Sequence, residues 1–459
     1  MTSLRDKSVL VLGLGETGLS LARYLAAQGA RLTVADSRLE PPGVATLRSE
    51  LPQAEVHCGP FGGELLEGVH RIAISPGVPV ATPLVQQAMA RGIPVEGDVE
   101  LLAQLLDTRH YRRNTKVIAI TGANGKTTTT SMVGAMCAAA GLDTQVAGNI
   151  SPAVLDALRA RTRQPQVWVL ELSSFQLETT HTLAADVATV LNVSEDHLDR
   201  YAGSMDAYAA AKARIFQGPG VQVLNRDDAR SMAMAQGGRR QVSFGLDLPR
   251  NAQDWGVSRE GAITWLMQGT QKVMRADELR VSGMHNVANA LAALALCRAL
   301  DIPLPPLVAA LRAFRGLPHR VEQVAEIGGV TYYDDSKGTN VGATEAALKG
   351  LGKPAVVILG GDGKGQDFSP LRTAVAQHAR AAVLIGRDAP LIERAITGCG
   401  KPLLHARDMG EAVDIAAAHA QRGDAVLMSP ACASFDMYRN YLHRAEAFIA
   451  AVKRREAAC

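Results

Sequence analysis

A glycine-containing loop near residue 120 carries residue types that bind phosphate groups. The apolar stretch 117–120 leads into Thr121-Gly-Ala-Asn-Gly-Lys-Thr-Thr128, after which the pattern becomes helical. The two glycines let successive backbone N–H groups turn toward one point, Lys126 supplies a positive charge, and Thr127 supplies a hydroxyl for Mg²⁺. The first glycine lies three residues before Gly125, whereas the common motif places it five before. The loop therefore predicts a nucleoside triphosphate site of unusual spacing.

A second glycine motif lies near the start of the chain. Gly13-Leu-Gly-Glu-Thr-Gly18 follows an apolar strand pattern and precedes a helical one, and Asp36 closes the next strand. This arrangement matches the dinucleotide fingerprint, in which a diphosphate lies at a helix N-terminus. Taken alone it favours an NAD-dependent dehydrogenase, but a UDP group satisfies the same geometry. Because Arg38 follows the acid closely and could meet a phosphate or uracil oxygen, the motif predicts a phosphate site.

Polar residues follow two apolar strands in the middle of the chain. Glu171 lies at the end of the strand pattern 166–172, and a buried carboxylate there needs a cation. His197 follows the strand pattern 186–192. Together with Thr127, these residues are predicted to hold hexacoordinate Mg²⁺ beside the phosphates. Histidine is an unusual magnesium ligand, so a second metal position or a substrate contact stays open for His197.

The last third of the chain repeats one design. Strand 329–334 ends in Asp334-Asp-Ser-Lys-Gly-Thr-Asn340, strand 355–359 in Gly360-Gly-Asp-Gly-Lys364, and strand 425–428 in Ser429-Pro-Ala-Cys-Ala-Ser-Phe-Asp436. A further strand is predicted over 381–385. In open α/β sheets, ligands bind outside the carboxyl ends of the strands. Three polar strand ends with two lysines therefore predict a pocket for a small molecule that carries anionic groups.

The elements that position these residues predict three α/β domains in a row. A chain of 459 residues is too long for one core, and roughly 150 residues per domain suggests three. Nearly continuous Val/Ile/Leu strands favour parallel sheets that are buried on both faces. We expect a Rossmann-like domain over 1–105, a central P-loop ATPase-like domain with a mostly parallel sheet over 106–316, and a Rossmann-like domain over 317–459. The basic stretch 109–115 is expected to be a linker.

Composition indicates a globular cytoplasmic protein with small-molecule ligands. The net charge of +3 arises from 48 basic and 45 acidic residues, which gives no reason to expect a nucleic-acid partner. The six cysteines include no Cys-x-x-Cys pair, so neither zinc spacing nor a disulfide framework is indicated. No signal peptide is recognised and no apolar run approaches the ~18 residues of a membrane helix. We therefore expect no membrane embedding.

Taken in order along the chain, these motifs resemble those of the Mur ligases, the ATP-dependent amide-forming enzymes of peptidoglycan synthesis. The resemblance covers essentially the whole chain, and the shortened phosphate loop is the form found in this family. The segments that carry it are Gly13–Ser20, Ser75–Pro79, Thr121–Thr128, Glu171–Leu177, Leu317–Arg320, Asp335–Asn340, Gly360–Lys364 and Ser429–Asp436.

The resemblance implies a reaction as well as a fold. ATP phosphorylates the carboxylate of UDP-MurNAc-L-alanine to an acyl phosphate, the amine of D-glutamate attacks, and a tetrahedral intermediate collapses to an amide and phosphate. This chemistry suits Lys126 and Mg²⁺, which neutralise charge that develops on the transferred phosphoryl group. ATP and Mg²⁺ are the expected cofactors, UDP-MurNAc-L-alanine and D-glutamate are the expected substrates, and a monomer is expected.

The matching motifs also imply a role for each residue. The catalytic residues are Lys126, Glu171, His197 and Lys212, and the metal ligands are Thr127, Glu171, His197 and Lys212. In this family the lysine that matches Lys212 is carbamylated, which turns a cation into an anion that binds metal. The pattern of residues 208–215 alone predicts instead an exposed lysine on a helix.

Binding residues follow in the same way from the resemblance. ATP is expected to contact Gly122, Ala123, Asn124, Gly125, Lys126, Thr127, Thr128, Asn286, Asn289, Arg320 and Asp335. The UDP substrate is expected to contact Gly15, Thr17, Ser37, Arg38, Ser75, Gly77, Asn149 and Ser173. The D-glutamate pocket is expected to comprise Lys337, Thr339, Lys364, Ser434 and Phe435.

Three other classes of function are open to the same motifs. Amide formation of the folylpolyglutamate synthase kind shares the phosphate loop, although the complete glycine motif at the N-terminus argues against it. An NAD-binding redox enzyme would use the N-terminal glycine motif at residues 13–18, and an ATP-dependent regulatory module would use the phosphate loop at residues 121–128 without catalysis. Nicotinamide-dependent absorbance would identify the redox enzyme, and the absence of phosphate release with both substrates present would identify the regulatory module.

Overall fold

A computed structural model describes residues 4–107, 115–281 and 283–458, and its strands form three separate sheets. Most neighbouring strands within each sheet are parallel, and helices connect them. The predicted α/β class with three consecutive units is therefore confirmed. Most of the stretch expected to be a linker, residues 109–114, lies outside the described residues.

The first sheet has five parallel strands in the order β3-β2-β1-β4-β5, which is the Rossmann order without its sixth strand. Strand β3 is partly exposed and contains His and Cys, and the sequence patterns did not predict it. In chain order the elements are β1 (Ser8–Leu12), α1 (Glu16–Ala27), β2 (Arg31–Asp36), α2 (Val44–Glu50), β3 (Glu55–Cys58), β4 (Arg71–Ile74), α3 (Pro83–Ala90), β5 (Val95–Glu96) and α4 (Asp98–Leu106).

The second sheet has nine strands in the order β14-β13-β12-β11-β10-β9-β6-β8-β7. Its strands are parallel from β7 to β12, and two antiparallel pairings add β13 and β14 at one edge. The elements are β6 (Lys116–Thr121), α5 (Lys126–Ala139), β7 (Thr144–Gly148), α6 (Val154–Arg159), β8 (Val167–Glu171), α7 (Ser174–Glu178), β9 (Val187–Val190), α8 (Met205–Ala213), β10 (Val221–Asn225), α9 (Ala229–Ala233), β11 (Gln241–Phe244), β12 (Trp255–Glu260), β13 (Ile263–Gln268), β14 (Gln271–Arg275), α10 (Met284–Ala299) and α11 (Leu304–Ala313).

The third sheet has six strands in the order β15-β16-β20-β17-β18-β19, in which β15 is antiparallel to its neighbour. The sequence predicted its four inner strands but neither edge strand. The elements are β15 (Glu322–Ile327), β16 (Val330–Asp334), α12 (Val341–Gly350), β17 (Ala355–Gly360), α13 (Leu371–His378), β18 (Ala379–Ile385), α14 (Ala389–Ile396), β19 (Leu403–His405), α15 (Met409–His419), β20 (Ala425–Met428) and α16 (Tyr441–Ala458).

The central strands, such as β1, β6, β8 and β17, are built mainly from Val, Ile, Leu and Ala side chains that are almost wholly buried. Helices cover both faces, as parallel sheets require. Polar residues begin where the inner strands end, so the predicted site residues follow the carboxyl ends of β1, β6, β8, β16, β17 and β20. Among the described helices, none combines the length and apolar character that crossing a bilayer requires.

Candidate active site

The phosphate loop connects β6 to α5 in the way that the sequence predicts. Gly125 lies just before the helix with a left-handed φ of 81°, and a Cβ there would lie 2.4 Å from Asn289 Oδ1. Glycine is therefore required both by the backbone conformation and by the close approach of helix α10. The ammonium of Lys126 donates to the carbonyl oxygens of Gly122 and Ala123, at 2.8 and 2.9 Å.

The end of β9 holds the tip of this loop. The side chain of Asn192 accepts the backbone N–H of Asn124 at 2.8 Å and donates back to the Asn124 carbonyl at 3.0 Å. The backbone carbonyl of Asn192 accepts the N–H of Ala123 at 2.9 Å. Because both loop residues are anchored to the sheet, the loop is shaped before any phosphate binds. Asn192 was not among the predicted site residues, although it lies in the segment that contains His197.

Glu171 ends β8 as a buried carboxylate with one oxygen unpartnered. Its Oε1 accepts a hydrogen bond from Asn149 Nδ2 at 2.8 Å, whereas no described residue bonds to Oε2. Gly148, with a φ of 120°, brings the Asn149 turn this close, since a Cβ at Gly148 would lie 2.1 Å from the Glu171 carbonyl. A buried carboxylate oxygen without a partner is costly unless a cation meets it. The site therefore fits a metal ion.

His197 lies at the end of the loop that follows β9, in a left-handed conformation with a φ of 54°. Its ring is 5.1 Å from the Phe175 ring in an edge-on arrangement, and its Nε2 is 3.6 Å from a carboxylate oxygen of Asp196. Burial lowers the pKa of this histidine, and the nearby Asp196 opposes that shift. A neutral imidazole retains a nitrogen lone pair, which is the form that binds metals.

Lys212 is buried, so the expectation of an exposed helix lysine is wrong. Only 1% of the Lys212 surface is accessible, because the face of α8 that carries Lys212 packs against the phosphate loop. Its Nζ donates to the Gly122 carbonyl at 2.9 Å and lies 4.5 Å from the ring centre of Tyr208. Burial, and secondarily the charge of Lys126, lower the pKa of Lys212 well below its ordinary value. The four-residue spacing from an aromatic residue on an Ala-rich helix was the available signal.

A cavity of about 330 Å³ lies between the second and third sheets, next to the phosphate loop. The predicted ATP contacts Asn286, Asn289, Arg320 and Asp335 all line it, together with Asn124, Gly125 and Thr128. Its wall also includes apolar side chains and Lys337, which was predicted for another pocket. Such a mixture of apolar surface and a few polar groups is typical of ligand sites.

Arg320 connects this cavity to Thr127, one of the predicted metal ligands, and Asp335 lies beside it in the cavity wall. Arg320 donates from Nη2 to the hydroxyl of Thr127 at 2.7 Å. Asp335 accepts a hydrogen bond from Ser429 Oγ at 2.6 Å, and burial raises the pKa of Asp335 to about 7. The neighbouring His319 bonds through Nδ1 to Asp334 Oδ2 at 2.7 Å, which holds the turn that carries Arg320. Sequence reasoning included His319 in a motif without assigning it a role.

The residues of the third unit that are expected to bind D-glutamate differ in burial. Lys364 points to the second sheet, with Nζ 2.7 Å from Asp196 Oδ1. Lys337 lies 3.9 Å from the ring centre of Tyr441, and burial lowers the pKa of Lys337 to about 8. Ser434 is buried, but Phe435 is 73% exposed. Tyr441, which was not among the predicted site residues, is the aromatic residue that contacts Lys337.

The N-terminal glycine motif, residues 13–18, has the close packing that its spacing predicts. A Cβ at Gly18 would lie 1.8 Å from the Gly13 carbonyl, so the helix can begin against the strand only because glycine is present. The carboxylate of Asp36 accepts from the backbone N–H of Leu14 at 2.7 Å and from the guanidinium of Arg38 at 2.6 Å. The guanidinium holds the pKa of Asp36 at about 2. Since its oxygens are engaged, Asp36 offers little to the ribose hydroxyl of an NAD.

The other residues expected to bind UDP lie where the first and second sheets face each other. Ser37 and Ser75 follow β2 and β4, and Thr17 lies in the first turn of α1. Arg200 joins the two units by donating to the carbonyls of residues 76 and 78, at 3.2 and 3.3 Å. Ser173 accepts a hydrogen bond from the backbone N–H of Gln176, which caps α7.

Comparison with known proteins relates the chain to one family along its whole length. Family models match residues 7–97 (Mur ligase MurD-like, N-terminal domain), 120–297 (Mur ligase middle domain) and 319–432 (Mur ligase, glutamate ligase domain). A UDP-N-acetylmuramoylalanine--D-glutamate ligase of Nitrosospira multiformis is 60% identical over 99% of this chain and 97% of its own length. The protein of that name from Aromatoleum aromaticum is 57% identical over 99% and 98%.

Solved structures agree on the fold. UDP-N-acetylmuramate-alanine ligase MurC from Thermotoga maritima aligns with a TM-score of 0.62 and 19% identity, over 98% of this chain and all of that one. A pseudomurein peptide ligase type C from Methanothermus fervidus gives the same TM-score, identity and coverage. With three matching domain models in order and full-length relatives well above half identical, the chain belongs to the Mur ligase family, whose enzymes depend on ATP.

Proposed function

We propose that this enzyme joins D-glutamate to UDP-N-acetylmuramoyl-L-alanine in peptidoglycan precursor synthesis, with cleavage of ATP to ADP and phosphate. The observation that carries the proposal is the meeting of the second and third sheets around one cleft. On one side lie the phosphate loop and Glu171, and on the other lie Lys337 and Lys364, with Lys364 in contact with Asp196. ATP and D-glutamate would therefore bind in the same cleft. The full-length relatives are named for this activity.

ATP occupies the cavity between the sheets, with its phosphates on the loop at residues 121–128. Lys126 neutralises charge on the transferred phosphoryl group while the substrate carboxylate attacks it. Asn286, Asn289, Arg320 and Asp335 bind the adenosine part, since these side chains line the cavity. The substrate carboxylate attacks the γ-phosphorus, the bond to the ADP oxygen breaks, and an acyl phosphate and ADP result. The amine of D-glutamate then attacks the carbonyl carbon and loses a proton, and phosphate leaves with the oxygen that came from the carboxylate.

Mg²⁺ fits the group formed by Thr127, Glu171 and His197. The unpartnered Oε2 of Glu171 supplies a hard anionic ligand, Thr127 supplies a hydroxyl, and the depressed pKa of His197 keeps its ring neutral. The ion would supply positive charge to the phosphate oxygens. Oxygen ligands are the preference of Mg²⁺, so His197 is placed equally well to meet the reacting carboxyl group.

Lys212 is proposed to carry a carbamate. Its Nζ and that of Lys126 both donate to the Gly122 carbonyl, and two ammonium groups on one oxygen repel each other. An uncharged amine at Lys212 removes this repulsion and is the form that attacks CO₂, forming a C–N bond and releasing one proton. The resulting anion would add a ligand for the metal ion.

The substrate groups are assigned from the roles that the family resemblance implies. The carboxylates of D-glutamate meet the ammonium and hydroxyl groups of Lys337, Thr339, Lys364 and Ser434, and Phe435 completes the pocket from its exposed side. The UDP group lies against Gly15, Thr17, Ser37, Arg38, Ser75 and Gly77, and the sugar-linked peptide runs past Asn149 and Ser173 toward the metal site. We assign the three domains to 1–105, 106–316 and 317–459, because each sheet draws its strands from one of these ranges. The protein is proposed to act as a cytoplasmic monomer.

The decisive experiment is phosphate release measured over a panel of amino acids. Release should require ATP, UDP-N-acetylmuramoyl-L-alanine and D-glutamate together, because the amine must intercept the acyl phosphate. L-glutamate, L-lysine and meso-diaminopimelate serve as matched alternatives. Equal release with any of these three would contradict the assignment of the amino acid, and absence of release with every mixture would favour a binding module.

A further inference from the structure

Arg444 is a buried cation at the start of the last helix. It is the fourth residue of α16, and 2% of its surface is accessible. Further along the same helix, Phe448, Ala451 and Val452 pack into the core beneath the third sheet. The apolar contacts of α16 therefore fix the direction in which the guanidinium points.

The guanidinium connects the two strand-end segments that carry the pocket residues. Nε and Nη2 donate to the hydroxyl and the carbonyl of Ser336, at 3.1 and 2.9 Å. Nη1 donates to the carbonyl of Cys432 at 3.0 Å. Ser336 directly precedes Lys337, and Cys432 lies two residues before Ser434. Arg444 thus bonds to both segments close to the side chains assigned to D-glutamate.

Ser336 extends this connection to a third group. Its hydroxyl donates to the backbone carbonyl of Tyr441 at 2.8 Å, and the Tyr441 ring packs on Lys337. Ser336 itself is completely buried. The loop after β16, the loop after β20 and the first turn of α16 therefore form one hydrogen-bonded unit around Lys337.

The Arg444 guanidinium has no directly paired carboxylate. No carboxylate oxygen of the described residues lies within 4.0 Å of its nitrogens, and Asp436 and Asp334 act on it only from a longer distance. Burial lowers the pKa of Arg444 to about 10 against the opposing charges of these acids, so the side chain stays charged at neutral pH. Burying a charge without a paired carboxylate is costly, which indicates that this cation has a specific role. A neutral residue of the same shape would fill the space at a lower free-energy cost, but it would not donate hydrogen bonds to both the loop after β16 and the loop after β20.

We propose that Arg444 is a positioning residue for D-glutamate, which sets the relative placement of Lys337 and Ser434 without touching the substrate. The inference rests on the proposed D-glutamate site. Direct binding of a substrate carboxylate is disfavoured, because the side chain is buried and each of its three nitrogens already donates to protein oxygen. Loss of the guanidinium should therefore weaken D-glutamate binding and leave the sites for ATP and the UDP substrate intact.

The test compares Michaelis constants for the three substrates in Arg444→Met, Arg444→Lys and Ser336→Ala. Arg455→Met is the matched control, since it removes a partly exposed arginine of the same helix, whose ion-pair partner among the described residues is the exposed Asp414. We expect Arg444→Met to raise KM for D-glutamate about ten-fold or more, with KM for the other two substrates within about two-fold. Ser336→Ala should show a smaller change in the same direction. Arg444→Lys should lie between, because an ammonium cannot reproduce the planar fork.

Several outcomes would overturn the inference. Equal increases in all three KM values, or a lower kcat and melting temperature with KM for D-glutamate unchanged, would mean that Arg444 has a structural role alone. If Arg444→Met does not fold, the milder Ser336→Ala and Arg444→Lys variants decide by the same criterion. Wild-type enzyme that releases no phosphate with D-glutamate would contradict the proposed function instead, and an active wild type with unaffected variants would contradict only this inference.

Discussion

At the scale of single residues, the centre of the site is the carbonyl oxygen of Gly122. Two lysines from different helices, Lys126 and Lys212, both donate to it. Their different surroundings give them different chemistry, because one follows the phosphate loop and the other is enclosed on α8 beside Tyr208. We therefore expect Lys126 to act as the fixed positive charge and Lys212 to act as the modified group.

Replacing Lys126 with Ala should abolish turnover, with a fall in kcat of about a thousand-fold or more, because the charge that develops on the phosphoryl group loses its nearest cation. Binding of UDP-N-acetylmuramoyl-L-alanine, measured by calorimetry, should change little, since its UDP contacts lie on the first sheet. Lys116→Ala, which removes an exposed lysine of the preceding strand, is the control. Parallel loss of substrate binding would mean that the two sites are not separate.

Carbamylation of Lys212 can be detected directly. Enzyme equilibrated with ¹³C-labelled bicarbonate should show one carbamate carbon signal by NMR, because a buried uncharged amine attacks CO₂. The signal should vanish in Lys212→Arg, whose guanidinium does not form a carbamate under these conditions. A signal that persists in this variant would come from another amine, and no signal in the wild type would mean that Lys212 acts as a lysine.

At the scale of elements, the inner strands of the third sheet and the loops after them could be predicted, whereas its two edge strands could not. Strands such as β17 are continuous runs of apolar residues and are recognisable anywhere. The edge strands β15 and β19 are half exposed, and β19 has three residues, so neither contains a clear pattern. The burial of Lys212 was only weakly indicated by Tyr208 four residues earlier, because this burial depends mainly on where α8 packs.

Helix α4 contains a titratable group that should affect stability. Asp98, in its first turn, is buried with one carboxylate oxygen unpartnered, and burial raises its pKa to about 6. The native state therefore keeps a proton between about pH 4 and pH 6 that the unfolded chain has released, so stability falls as the pH rises through this window. Above it the full cost of the buried charge is present.

Asp98→Asn should therefore raise the free energy of unfolding by up to about 3 kcal/mol at pH 7.5, which corresponds to the rise in the pKa of Asp98 to about 6, and by about 1 kcal/mol at pH 4.5. Denaturant melts at both pH values measure the difference. Asp414→Asn, at an exposed position of α15, is the matched control and should show no such dependence. An equal effect of Asp98→Asn at both pH values would mean that the carboxylate is charged throughout.

At the scale of the whole molecule, the third sheet contacts the second through polar groups around one acid. Asp196 accepts hydrogen bonds from Lys364 at 2.7 Å and from Asn340 at 3.2 Å. Asn340 also donates to the side chain of Asn124 in the phosphate loop at 3.0 Å. Since the lysine and the loop belong to different units, closure of the third unit brings the acceptor pocket to the phosphates.

Asn340→Asp should weaken this contact without disturbing the helix that follows. An aspartate still accepts the backbone N–H of Ala343 and so caps α12, but it cannot donate to Asp196 or Asn124. We expect a larger radius of gyration by small-angle X-ray scattering and a higher KM for ATP. In Asn340→Ala the cap is lost as well, which should also lower the melting temperature. Unchanged scattering in both variants would show that other contacts hold the units together.

The bond between Arg320 and the hydroxyl of Thr127 has a consequence for the order of events. A guanidinium and a divalent cation cannot share one small oxygen, because their charges repel across it. A metal ion bound to the Thr127 hydroxyl would therefore exclude Arg320 from it, and Arg320 would exclude the ion. The bond between Arg320 and Thr127 should thus lower the affinity of the site for free metal. A bound nucleotide would offer the displaced guanidinium a new partner, because Arg320 also lines the nucleotide cavity. Metal and nucleotide should therefore enter together, and the turn between the second and third units should shift as they do.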